Sequence, residues 1–183
     1  MSYSKKVIQE RIKKLLETPR VYWSPLSYEN KVDGLVDLAK KYITDKDFVV
    51  EVGSFSGVSS QVLALHCKEL HCIDPYHWEA VIEAEKMFDK MLLDYSNITK
   101  VKKLSIEGSK DYADNSIDVV YIDGDHSYSS VVEDINAWKN KVKKGGYIAG
   151  HDSFMPEVLQ AVKDTLGEPL ETFDDTSWII KIK

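Results

Sequence analysis

Two periods of apolar residues run along this chain. Short apolar runs fit buried strands at 48–52, 69–74, 98–104, 117–122, 147–149, 170–173 and 177–182. Between them, apolar residues recur at three- and four-residue spacing, which predicts helices at 4–17, 29–43, 59–67, 79–95, 129–141 and 156–166, with a short helical turn at 110–112. The 79–95 helix turns Val81, Ala84, Met87, Phe88, Met91 and Leu92 inward, and the 129–141 helix turns in Val131, Val132, Ile135 and Trp138. Pro19 stops the first helix, and Lys144-Gly145-Gly146 reads as a turn into the fifth strand. Strands alternating with helices imply a mostly parallel, doubly wound α/β sheet covered on both faces. The last two strands, joined through Asp174-Asp175, read as an antiparallel hairpin. The expected organisation is a single domain, with N-terminal helices and a candidate lid over 1–45 and the core over 46–183.

Composition narrows the class. At 183 residues, 43% hydrophobic and 30% charged, the chain suits one soluble globular domain. A net charge of −6 argues against a general nucleic-acid surface. No apolar run approaches the roughly 20 residues of a membrane span, so no membrane partner is expected. The start, Met1 to Lys6, lacks an apolar signal core, and cytoplasmic retention is the default. Cys67 and Cys72 sit in a His66-Cys67-x-x-x-His71-Cys72 cluster, but a helix end, a turn and a strand would point these groups apart. They are read as ordinary buried or half-buried residues rather than a zinc site. A homo-oligomer stays open.

The candidate chemistry gathers at strand ends. The first strand carries Glu51 and breaks into Gly53-Ser54-Phe55-Ser56-Gly57, where glycine lets a ligand approach the backbone. A dinucleotide fingerprint would need glycine at Phe55, so a pyrophosphate is not required of the ligand. The second strand ends at Asp74, twenty-one residues after Gly53, where a carboxylate can accept bonds from a ribose diol. The fourth ends at Asp123-x-Asp125-His126 and the fifth at His151-Asp152.

Taken together, Val50-Glu51-Val52-Gly53-x-x-x-Gly57-x-Ser59, Ile73-Asp74, Tyr121-Ile122-Asp123-Gly124-Asp125-His126-x-Tyr128 and Gly145-Gly146-x-x-x-x-His151-Asp152 resemble class I S-adenosylmethionine-dependent methyltransferases. The likeness is to the small-molecule O-methyltransferase branches with a DGDH-x-Y segment, and it spans residues 46–183. It implies a Rossmann-like, seven-stranded sheet with the C-terminal antiparallel hairpin. It also implies roles: Glu51 and Gly53 at the cofactor's amino-acid part, Ser54, Phe55 and Ser59 as further cofactor-binding residues, Asp74 on the ribose, Ser105 or Ser109 near the adenine, and Asp123 beside the methyl group. Phe55 departs from the family's older pattern, where glycine is common, and this leaves the turn's conformation open.

Related metal-dependent enzymes hold a divalent cation at the ends of the fourth and fifth strands. By that likeness Asp123, His151 and Asp152 are candidate ligands, for magnesium or manganese, and a histidine tilts the choice from magnesium towards manganese, iron or zinc. The alternative is that Asp125 and His126 cap the following helix while His151 pairs with a carboxylate. Asp123, Asp125, His126 and His151 are the candidate catalytic groups, because methyl transfer to a hydroxyl or amine of a small-molecule acceptor needs a base or a metal to activate the nucleophile. Tyr22, Trp23 and Tyr28 either form a lid or fasten their loop, and Trp78 either stacks near the adenine or packs its own helix. Competing readings are a nicotinamide-dependent oxidoreductase and a non-catalytic cofactor-binding subunit.

Overall fold

The computed structural model describes Glu10, residues 32–77 and residues 82–183. The expected helix over 4–17 and the aromatics Tyr22, Trp23, Tyr28 and Trp78 therefore lie outside the described residues. Helix α1 (Asp33–Tyr42) leads into strand β1 (Phe48–Val52), helix α2 (Val58–His66) and β2 (Glu69–Ile73). Then come α3 (Ile82–Leu92), β3 (Ile98–Val101), α4 (Ser105–Ser109), β4 (Ile117–Ile122) and α5 (Tyr128–Trp138). The chain closes with β5 (Val142–Gly150), α6 (Pro156–Leu166), β6 (Glu171–Thr172) and β7 (Trp178–Lys181).

The strands form one seven-stranded sheet in the order β3-β2-β1-β4-β5-β7-β6. β1 to β5 pair in parallel, while β7 runs antiparallel between β5 and β6. This is the Rossmann-like arrangement that the resemblance implies, with the mostly parallel sheet expected from the alternation of elements and the antiparallel hairpin expected around Asp174-Asp175. Helices cover both faces because β1 and β4 are apolar on both. Val49 and Tyr121 pack with Leu35, Leu38 and Leu63 of α1 and α2. Val50, Val52 and Val120 pack with Ile135 and Trp138 of α5 and Val158 and Val162 of α6. Strand side chains alternate, so Glu51 shares the α2 face with Val49.

Four expectations about the elements are corrected. β3 stops at Val101 rather than 104, because the chain turns at Lys102 and Lys103 to start α4. The helix after β3 is accordingly 105–109, and 110–112 is a turn following it. Gly145-Gly146 lies inside β5, not before it. Ile117 pairs with Val142 but Val119 pairs with Tyr147, so extra residues of β5 loop out as a bulge. Gly145 permits this at φ +82°, and Gly145 and Gly146 stay bonded to Ile182 of the final strand's continuation. Met87, expected to face inward, is 52% exposed; Ala84 and Phe88 carry the inner face of α3.

Candidate functional site

The order of the sheet reverses between β1 and β4, and ligands in such sheets sit beyond the strands' carboxyl ends at that point. Hydrogen bonds extend the ladder one residue past each strand there: Gly53 N–H to Ile73, Asp74 N–H to Val101, Asp123 N–H to Val52 and His151 N–H to Ile122. Gly53, Asp74, Asp123 and His151 thus stand in one row along the rim. A cavity of about 870 Å³ opens above the row and is lined by all four.

The glycine turn is shaped by the protein's own packing. Gly53 has φ +85°, and a Cβ there would stand 2.0 Å from the Asp123 carbonyl oxygen. Gly57, the N-cap of α2 at φ +84°, faces Met91 and Phe88 of α3 instead of the cavity. Between them Phe55 adopts φ +45°, a region non-glycine residues rarely enter. Two side chains hold it there. The Asp74 carboxylate accepts from the N–H groups of Phe55 and Tyr76, both at 2.9 Å. The Tyr76 hydroxyl donates to the Phe55 carbonyl at 2.8 Å and lies 3.1 Å from the Ser54 hydroxyl. Tyr76 itself is 4% exposed and is wedged beneath Lys100, whose Nζ lies 4.8 Å from the ring centre.

Beneath the turn, Glu51 is fully buried and accepts from the hydroxyls of Ser59 and Ser60 and the thiol of Cys72. Burial pushes its carboxyl up to about 7, against the opposing pull of these three donors. Glu51 is not among the groups that line the cavity, whereas Gly53, Ser54, Phe55, Ser59 and Asp74 are. On the far side of the row, Ser105 lines the cavity; Ser109 bonds the Ile106 carbonyl at 2.9 Å and does not reach it.

The other half of the rim is a knot of carboxylates and imidazoles. His126 Nε2 lies 2.7 Å from Asp152 and 3.7 Å from Asp123, and His151 Nδ1 lies 3.2 Å from Asp152 and 4.0 Å from Asp123. The Asp123 and Asp152 carboxylates push His126 up to about 10. Burial would lower His151, but Asp152 and Asp123 outweigh it and push it up to about 9. Asp152 is held well below the usual carboxylate range, since His126 and His151 outweigh the effect of its burial. Its backbone is left-handed, at φ +61°, a conformation that such sites hold only when surrounding contacts impose it. One of those contacts is the Met155 N–H, 2.9 Å from the Asp152 carbonyl. Ligand atoms of Asp123, His126 and Asp152 lie within 4.8 Å of one another. That trio exchanges the expected His151 for His126.

Asp125 accepts from the Ser127 N–H at 2.8 Å, and this and the Ser127 hydroxyl hold its carboxyl low. The residue that caps α5 is Ser127, whose side chain accepts from the Ser130 N–H. Sequence reasoning missed three further cavity residues. Tyr76 carried no signal. Asp175 lines the cavity, accepts from the N–H of Leu35 at 2.6 Å and ties α1 to the terminal hairpin. Asp134 did carry one: it shares the inward stripe of α5 with Val131, Ile135 and Trp138.

Residues 50–153, more than half of the chain, match the family described as "Methyltransferase domain", Methyltransf_24. The chain belongs to this methyltransferase family. The match runs from the glycine turn through Asp152, so it contains the whole rim just described. An uncharacterised protein of Acanthamoeba polyphaga mimivirus is 32% identical over 145 residues, which are 73% of this chain and 66% of that protein. The chain therefore spans just under two thirds of that relative's length. Among solved structures, precorrin-6y C5,15-methyltransferase from Geobacter metallireducens aligns with a TM-score of 0.63 at 15% identity, over 80% of this chain and 73% of that one. A SAM-dependent O-methyltransferase from Thermotoga maritima aligns at 0.57 and 16% identity, over 87% and 54%. A Streptococcus mutans protein assigned as a methyltransferase, solved in complex with SAH, aligns at 0.57 and 13% identity, over 79% and 92%. These likenesses show the family's fold and do not favour the nicotinamide reading. Among the described residues no helix is long and apolar enough to cross a membrane.

Proposed function

We propose that the protein moves a methyl group from S-adenosylmethionine to a hydroxyl, or an amine, of a small molecule. The observation that carries this is the single rim row: a glycine turn and Asp74 on one side of Asp123, and the Asp152, His126 and His151 knot on the other, around one cavity. The residues present fit the cofactor. Asp74 spends two of its roughly four lone-pair directions on backbone N–H groups, leaving two for a ribose diol. Ser105 stands where an adenine edge would lie. No lysine or arginine lines the cavity among the described residues, which suits a ligand bearing a cationic sulfur.

When bound, the cofactor supplies a methyl group on a sulfonium, open to in-line attack. The chain's part is to hold the acceptor opposite the sulfur and to take its proton. Leu35, Tyr121 and Asp175 bound the cavity at that end and limit water there. Asp123, His126 and Asp152 fit a divalent cation, and two oxygens with one imidazole suit manganese, iron or zinc better than magnesium. Such an ion would acidify an acceptor hydroxyl. His151 stands outside that trio but beside Asp123, and is the imidazole placed to receive the acceptor's proton once the carboxylates it pairs with are engaged elsewhere.

Calorimetry tests the reading. Micromolar binding of S-adenosylhomocysteine without NAD binding is expected, together with transfer of labelled methyl to a member of a hydroxyl and amine acceptor panel. Binding of NAD and of neither sulfonium nor thioether ligand would overturn it.

A further inference from the structure

Asp134 is a carboxylate on an apolar helix stripe, 7% exposed, yet it lines the cavity. A buried acid without a cationic partner is costly and is retained where it has something to bind. Its described neighbours supply one bond only. The Trp138 indole N–H donates to the Ser105 hydroxyl oxygen at 2.9 Å, and the Ser105 hydroxyl is the one donor group that pulls on the Asp134 carboxyl. Since the indole can only donate, the Ser105 hydroxyl keeps its own proton to offer on the carboxyl's side. Among the described residues no lysine or arginine acts on it: the other charged groups that do are Glu133 and Asp125, both acidic. Burial lifts its carboxyl to about 6, so at neutral pH it remains an ionised acceptor.

Resting on the cofactor reading above, we propose that Asp134 is a specificity-determining residue that accepts a hydrogen bond from the exocyclic amine of the cofactor's purine. The geometry assigns it that end of the cavity. Ser105 opens α4 directly after β3, while Asp134 reaches in from α5, so the two side chains meet at one edge of the cavity that both line. Gly124 borders the same corner: a Cβ added there would stand in ordinary contact with Asp134 Oδ2, at 3.4 Å. The sulfonium end is served by the glycine turn and the ribose by Asp74, which leaves the purine as the only part of the ligand with N–H groups to offer there.

The test compares S-adenosylhomocysteine with its analogue bearing hydrogen in place of the 6-amino group, by calorimetry on the full chain. A site built to bond an amine rejects a ligand lacking it, so the parent protein should favour the amine by about tenfold or more. Asp134→Ala should bring the ratio close to one, and Asp134→Asn, which keeps one acceptor oxygen, should leave it between the two. A parent ratio near one overturns the proposal, as does an Asp134→Ala protein that weakens both ligands equally. If the parent binds neither ligand, the cofactor reading itself falls; equal binding of both removes only the role of Asp134.

Discussion

The carboxylate of Asp74 accepts a 2.9 Å hydrogen bond from the backbone N–H of Phe55, nineteen residues earlier in the chain. The same carboxylate therefore clamps the glycine turn and faces the cavity. This explains how Phe55 is tolerated where glycine would be expected: Asp74 and Tyr76 hold both its backbone polar groups. Asp74→Ala should weaken S-adenosylhomocysteine binding by about 100-fold, the loss of about 3 kcal/mol in bonds to a charged group. Calorimetry reads the affinity and a melting curve separates it from loss of the fold. An unchanged affinity would detach Asp74 from the ligand.

Phe55 pays for its left-handed backbone. An L-residue there costs roughly 1–2 kcal/mol that glycine does not bear, partly offset by glycine's greater unfolded-state freedom. Phe55→Gly and Phe55→Ala both delete the ring, so their difference isolates the backbone. Chemical denaturation should show the glycine variant more stable than the alanine variant by about 1 kcal/mol.

Gly53→Ala places a methyl group on the Asp123 carbonyl, 2.0 Å away by ideal geometry, at a positive φ. The turn or β4 must shift. A loss of roughly 2–4 kcal/mol in urea unfolding is expected, with cofactor binding lost as well. Gly145→Ala, at similar φ but with nothing within 4 Å, should cost less.

Glu51 makes stability depend on pH. Its folded value of about 7 lies above the ordinary 4.5, so the unfolded chain gives up this proton first. The native state therefore loses stability as pH rises from about 4.5 to about 7, by roughly 3 kcal/mol, and no more above that. Denaturation of Glu51→Gln across this range should show a flatter profile than the parent. Parallel profiles would mean that Glu51 is ionised in the native state without penalty.

The donor trio predicts a ranking for metal binding. Manganese titrations should show Asp123→Ala and Asp152→Ala losing most affinity, and His126→Ala losing more than His151→Ala. The reverse order for the two histidines would restore His151 as the ligand.

Much of this was legible in one dimension. Strand–helix alternation announced the sheet, and the strand ends announced Gly53, Asp74, Asp123 and His151, because a strand's terminus is a local property of apolar runs and turn residues. The choice between Ser105 and Ser109 was not legible, since it depends on α4 starting five residues earlier in the chain than the expected 110–112 turn suggests, and on which side chain then faces the cavity. Nor was the exchange of His151 for His126. Asp152 has a left-handed φ, and its carboxylate comes to 2.7 Å from His126, which lies on the loop after β4, twenty-six residues away in the chain.

By itself, then, the sequence determined the class of fold, the position of the rim and the residue types along it. Tertiary structure alone decided that Glu51 lies under the turn rather than in the cavity, that Gly57 answers to Met91 and Phe88, and that Asp134 enters the site from an apolar stripe. The reason is physical. Periodicity tells which face of an element a side chain occupies, but what that face meets depends on contacts between elements tens of residues apart.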